Sequence, residues 1–337
     1  MRFFSLITAL ALTAGIASAA TPNEQIEQAR VVLDDAQHEL DANAAGIDGR
    51  WGMSAMLKTR LKAARAQLDA GDDPEAILRL AELDAALIDQ LANQAYVTLG
   101  AIRGASPALL PAIGPQKRPY VLAVYVPPAA VAKSAPLIFF LHGKGQNEAD
   151  VIATPVVRSL ADSTGSIVVA PYAGGDDMLT DANIADLYQA LDAIENSMRI
   201  DRRRVYLAGD SLGGFAAFKA LARSPDRWAA TLVIEGAVAE TDSEAVAGRV
   251  RGKSIYLVAG ANDQSVTATY VRQLASWLRT HGAIITYYEQ PDAIHTLQSV
   301  APAASKAWQD MLAGIRPTSA TQDAAPVLPA PRPSQPS

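Results

Sequence analysis

The 337 residues carry 29 basic and 35 acidic side chains, a formal charge of -6, and no cysteine. The acidic balance excludes nucleic acid as the main partner, since phosphate-binding surfaces carry a basic excess. The missing thiols exclude disulfides, thiolate metal sites, a cysteine nucleophile and lipid attachment through cysteine.

The first segment, residues 1–20, reads as an export signal. Arg2 supplies the positive start, Phe3 to Ile16 an apolar run too short for a membrane span, and Ala17-Ser18-Ala19 a small-residue cleavage site. The mature chain is expected to be exported, to the periplasm or beyond, with no membrane span.

Residues 21–104 lack strand signals and predict an all-helical module. Ile26, Ala29, Leu33, Ala36 and Leu40 recur at helical spacing, a second helical run covers about 53–68, and a third covers 74–99 behind an Asp73 cap. Residues 22–100 hold fourteen acidic and seven basic side chains, so these helices present an acidic face. A structural support, a cover over a site and a docking surface for a partner protein all fit that description.

From residue 105 to 315 short apolar runs alternate with helical patterns. "YVLAVYVP", "PLIFFLHG", "SIVVAPY", "RVYLAGDS", "WAATLVIEG", "KSIYLVAG" and "AIITYYEQ" read as buried strands. Helices are expected over 183–198, 212–223 and 266–281. Continuous apolar strands separated by helices indicate a mostly parallel sheet covered on both faces, an α/β fold. Residues 316–337, rich in Pro, Ala and Ser, predict a disordered tail.

Within this pattern "VYLAGDSLGGF" carries Gly-x-Ser-x-Gly between a strand and a helix. A sharp strand-to-helix turn lifts the Ser211 hydroxyl clear of the sheet and aims helix N–H groups at a developing oxyanion, with Leu212 as the expected donor. A serine needs a base. Of the four histidines, His38 sits among the N-terminal helices, His281 fits a helix cap and His142 ends a strand, which leaves His295 in "EQPDAIHTL". The carboxylate orienting that base is expected to be Asp263, just past the next-to-last strand. Glu235 and Asp292 are the rivals.

The order Ser211, Asp263, His295 is that of an α/β-hydrolase triad, with each member following a strand. "LHGKGQNE" adds a loop able to give a second oxyanion donor, Lys144 first and Gly143 second. With these features the chain resembles the α/β-hydrolase superfamily over about Tyr120 to Met311. It looks most like the secreted feruloyl-esterase, polyhydroxybutyrate-depolymerase and dienelactone-hydrolase-like esterases, which share an Asp-x-x-Arg-Val-Tyr lead-in like that of "IDRRRVYLAGDSLGG". Asp210, Leu212 and Lys144 are departures from that pattern.

The resemblance implies a serine hydrolase of carboxylic esters, small or polymeric, working through an acyl-enzyme with no cofactor and no metal. A peptidase or acyltransferase with the same triad, and a binding protein on a hydrolase fold, are the competing readings. The aspartates of "GGDDMLTD" are expected in a solvated loop, and Trp51, Trp228, Trp277 and Trp308 in packing roles.

Overall fold

The computed structural model describes residues 20–113 and 118–315. The export segment up to residue 19 and the tail from residue 316 lie outside the described residues. No helix among the described residues is long and apolar enough to cross a membrane.

Three helices open the chain: α1 (Pro22–Arg50), α2 (Ser54–Ala70) and α3 (Pro74–Asn93). Thr21 and Glu24 form a capping box at the start of α1, and the Asp73 side chain accepts the N–H groups of Glu75 and Ala76 at the start of α3. Helix α3 stops earlier than its apolar pattern predicts. Gln94 turns into the left-handed region, with φ 56°, and its N–H closes on the Gln90 carbonyl.

Eight strands follow in one sheet: β1 (Gly104–Ile113), β2 (Arg118–Val126), β3 (Ala135–Leu141), β4 (Ile167–Pro171), β5 (Ile200–Asp210), β6 (Thr231–Ile234), β7 (Ser254–Gly260) and β8 (Ile284–Gln290). Their order is β1-β2-β4-β3-β5-β6-β7-β8. The first two pairings are antiparallel and the rest parallel, joined by right-sized helical crossovers. Strand β1 was not expected from the sequence. Its "GASPALLPAI" contains prolines, which a sheet tolerates at its edge, where β1 lies.

The helices are α4 (Glu148–Ala153), α5 (Pro155–Thr164), α6 (Asp181–Ser197), α7 (Leu212–Arg223), α8 (Ser243–Ala247), α9 (Ala268–Thr280) and α10 (Ala301–Ala313). Alternation along each strand sends residues to opposite faces. Leu137, Phe139, Leu207, Val233 and Leu257 pack with α6–α9. Ile138, Phe140, Tyr206, Leu232 and Tyr256 belong to a second cluster that includes α4, α5 and α10 and continues into α1–α3. Helix α3 touches β1 and α4 on one side and α1 and α2 on the other. The N-terminal helices thus share a hydrophobic core with the sheet.

Candidate active site

The site forms at the carboxyl ends of the parallel strands, where loops replace the hydrogen-bond ladder. Strand β5 ends at Asp210 and α7 begins at Leu212, so Ser211 alone makes the turn. Its backbone takes φ 50° and ψ -116°, a conformation that side chains avoid and that costs on the order of 1–3 kcal/mol. The surroundings hold it there. Ser211 N–H donates to the Ile234 carbonyl at 2.9 Å, and its own carbonyl accepts from Gly214 and Phe215.

Such a turn brings β5 and α7 so close that glycine is required beside it. A methyl on Gly209 would enter the Gly213 carbonyl, and one on Gly213 would enter the Leu141 carbonyl. A methyl on Gly214 would lie 2.8 Å from Gly236 Cα, where the helix crosses the end of β6.

His295 lies in the loop after β8, and Asp263 in the loop after β7. Asn262 N–H donates to the Ala293 carbonyl at 2.8 Å, which ties the two loops together. Asp263 Oδ1 accepts the N–H groups of Ser265 and Val266 at 2.7 and 2.9 Å, leaving Oδ2 to face His295 Nδ1 at 2.7 Å. His295 Nε2 lies 2.8 Å from Ser211 Oγ. The structure therefore brings Ser211, His295 and Asp263 into one hydrogen-bonded line. Asp292 is exposed in a turn, with φ 58°.

Glu235, the other rival carboxylate, ends β6 in a left-handed conformation, with φ 49°. It is buried, and Oε1 has no hydrogen-bond partner among the described residues. Its donor atom lies within 4.8 Å of those of Asp263 and His295. That spacing could hold a cation, but His295 Nδ1 and Asp263 Oδ2 already face each other. Burial, followed by the negative charge of Asp210, pushes the Glu235 carboxyl up to about 8. Asp210 is also buried, and desolvation pushes it up to about 7, aided by Asp263 and opposed by His295. Burial alone would hold His295 neutral, but the hydrogen bond and charge of Asp263, with Glu235 and Asp210 beyond, raise it above the ordinary imidazole value.

The expected oxyanion donors separate in the structure. Leu212 opens α7, so its N–H has no carbonyl one helical turn back. Lys144 is exposed, and among the described residues its N–H makes no hydrogen bond. Gly143, the second choice, donates its N–H to Gln146 Oε1 at 3.0 Å. Gly145 N–H donates to Asp176 Oδ1 at 2.7 Å, so the aspartate-rich loop braces this turn. Asp176 was expected only in a solvated loop and Gln146 was given no role, because the partner each takes lies in a loop whose path depends on the fold.

The other histidines have structural surroundings. Buried His142 faces the carbonyls of Gly143 and Tyr172 with its two ring nitrogens, His281 Nδ1 faces the Trp277 carbonyl at the end of α9, and His38 is exposed on α1. Trp228 and Trp308 are buried in the two cores.

Comparison with known proteins identifies the family and the fold. The Esterase family model matches residues 115–318. Over 141 residues, 40% of the chain, the sequence is 31% identical to the bifunctional acetylxylan esterase/xylanase XynS20E of Neocallimastix patriciarum, of which the chain spans only 20%. Among solved structures, the hyperthermophilic esterase of Pyrobaculum calidifontis superposes with a TM-score of 0.51 at 16% identity, covering 62% of this chain and 85% of that one. The fluorophosphonate-binding serine hydrolase FphF of Staphylococcus aureus gives a TM-score of 0.50 at 14% identity, covering 62% of this chain and 99% of that one. At these identities the two structures speak to the fold. The chain belongs to the Esterase family and has the α/β-hydrolase fold.

Proposed function

We propose that this protein is an exported serine hydrolase that cleaves carboxylic esters through an acyl-enzyme on Ser211. The observation that carries the reading is the line from Ser211 Oγ to His295 Nε2 at 2.8 Å and from His295 Nδ1 to Asp263 Oδ2 at 2.7 Å. Family membership supports it independently.

In this mechanism Ser211 Oγ attacks the ester carbonyl carbon while its proton passes to His295 Nε2. Asp263 holds the imidazole with Nδ1 protonated and stabilises the imidazolium. The N–H groups of Leu212 and Lys144 hold the carbonyl oxygen as it becomes negative. A missing donor of this kind costs about 2.7–4 kcal/mol of transition-state stabilisation. As the carbon–oxygen bond breaks, His295 returns the proton to the leaving alcohol. Water then attacks the acyl-enzyme with His295 as base, and the acid departs with Ser211 regenerated.

The acetylxylan esterase named in the relative directs the substrate search to acetyl esters, including those on a polysaccharide. Turnover of p-nitrophenyl acetate, butyrate and octanoate, and acetate release from acetylated xylan, are to be measured for the mature protein beside Ser211→Ala. Turnover abolished by the substitution is the expected result. Equal rates in both proteins would sink the proposal, and preferential turnover of peptide bonds would move it to the peptidase reading. Export is supported by the charged, apolar and small-residue order of residues 1–20. An intact mass that retains this segment in protein recovered from outside the cytoplasm would contradict cleavage.

A further inference from the structure

A buried ionic group joins the N-terminal helices to the loop that carries Lys144. Arg60 of α2 is 6% exposed, and Asp84 of α3 and Glu148 of α4 are each 1% exposed. Arg60 Nε and Nη2 donate to Asp84 Oδ1 at 2.9 and 2.5 Å, and Nη1 donates to Glu148 Oε1 at 2.5 Å. Burial opposes a charge on Arg60, but the two carboxylates outweigh it and hold the guanidinium protonated.

The position of Glu148 gives this group its meaning. Glu148 is the first residue of α4, directly after the turn of residues 142–147. Asn147 Oδ1 accepts Ala149 N–H, and Asn147 N–H donates to Asp150 Oδ2, which ties the turn to the start of the helix. Helix α4 has only six residues and buries Ala149, Val151, Ile152 and Ala153 beside Glu148. Those apolar contacts set the depth of α4 against the core. A guanidinium held by carboxylates on two other helices fixes direction.

A buried ion pair is weak evidence for stability, because apolar side chains of equal volume often replace it without loss. The geometry points to a different use. We propose that Arg60 is a positioning residue: held by Asp84, it fixes Glu148 and α4 so that Lys144 N–H stands where the oxyanion forms. This gives residues 22–93, which lie outside the matched family region, a part in the rate. The inference rests on the proposed Ser211 mechanism for its kinetic consequence, but not for its structural one.

The decisive variant replaces the whole group with apolar residues of similar size, Arg60→Met with Asp84→Leu and Glu148→Met. If the group positions the loop, the folded variant keeps its melting temperature while kcat on p-nitrophenyl butyrate falls about 10- to 100-fold, the loss that a misplacement of about 1 Å brings. KM stays within about twofold of its original value, as expected for an interaction made only in the transition state. Amide hydrogen exchange in residues 142–147 rises, while that in β5 is unchanged. Arg60→Lys, which keeps the charge and one hydrogen bond, recovers part of kcat.

A folded triple variant with unchanged kcat and unchanged exchange in residues 142–147 would overturn the inference. If the triple variant does not fold, Glu148→Gln is read by the same two measurements and with the same two outcomes. Ser211→Ala is carried alongside. Ester turnover surviving that substitution removes the proposed function, while exchange in residues 142–147 still decides the role of Arg60.

Discussion

At the residue scale the site is governed by three carboxyl groups around one imidazole. Asp263 alone engages His295 directly, so Asp263→Asn leaves the imidazole in the wrong tautomer and is expected to lower kcat by about 10⁴-fold. The same neighbours set the pH response. In the proposed mechanism His295 acts as a base only when neutral, and its folded-state value is raised. The acid limb of kcat/KM against pH is therefore expected above the ordinary imidazole value, and any residual activity of Asp263→Asn should show that limb displaced downward. Asp210 provides a separate test through stability. Its folded value of about 7 lies above its ordinary 3.8, so folding takes up a proton and Asp210 weakens the fold as pH rises from the lower value through the upper one. The melting temperature of Asp210→Asn relative to the parent should thus rise between pH 5 and pH 8. A difference that stays flat over this range would show that the carboxyl is not held neutral.

At the scale of elements, the sequence made the site more legible than its surroundings. Ser211, Asp263 and His295 follow strands whose apolar runs are continuous, and a catalytic serine turn needs glycines that a reader can see. That Gly143 N–H faces Gln146 Oε1 was not legible in the sequence, because the acceptor is a side chain whose direction depends on the fold. Strand β1 was hidden by its prolines, and the end of α3 by a left-handed glutamine where glycine would have been the signal. The glycines themselves are testable. Gly213→Ala places a methyl in the Leu141 carbonyl and is expected to leave little folded, active protein. Gly49→Ala in α1 meets nothing within 4 Å and is expected to be neutral or to stabilise by up to about 1 kcal/mol. Expression and thermal melting of both variants compare a close backbone approach with open space.

At the scale of the molecule, α1–α3 and the sheet share a core, so the two parts are expected to melt together. Leu33 in α1 and Leu232 in β6 are both fully buried in the same cluster. Leu33→Ala and Leu232→Ala should each cost about 2–5 kcal/mol and lower one common transition, followed by circular dichroism and by the fluorescence of Trp308. Two separated transitions in the parent protein would show instead that the helices fold as an independent unit. The helical reading of residues 21–104 came from apolar spacing. The shared core was less visible, although α3 buries Ile77, Leu80, Leu83, Leu87, Ile88 and Leu91, more than one narrow stripe.

The place of Arg60 also suits an order in which its contacts can form. Helices α1–α3 precede the eight strands in the sequence, and their mutual contacts are close enough in sequence to form early. Arg60 can meet Asp84 within that nascent bundle, 24 residues apart, but Glu148 stands 88 residues further along the chain. Without Glu148, a bundle of α1–α3 has an incompletely satisfied guanidinium on the side that α4 covers. A bundle formed ahead of the sheet would thus carry a mark of the direction in which the sheet docks.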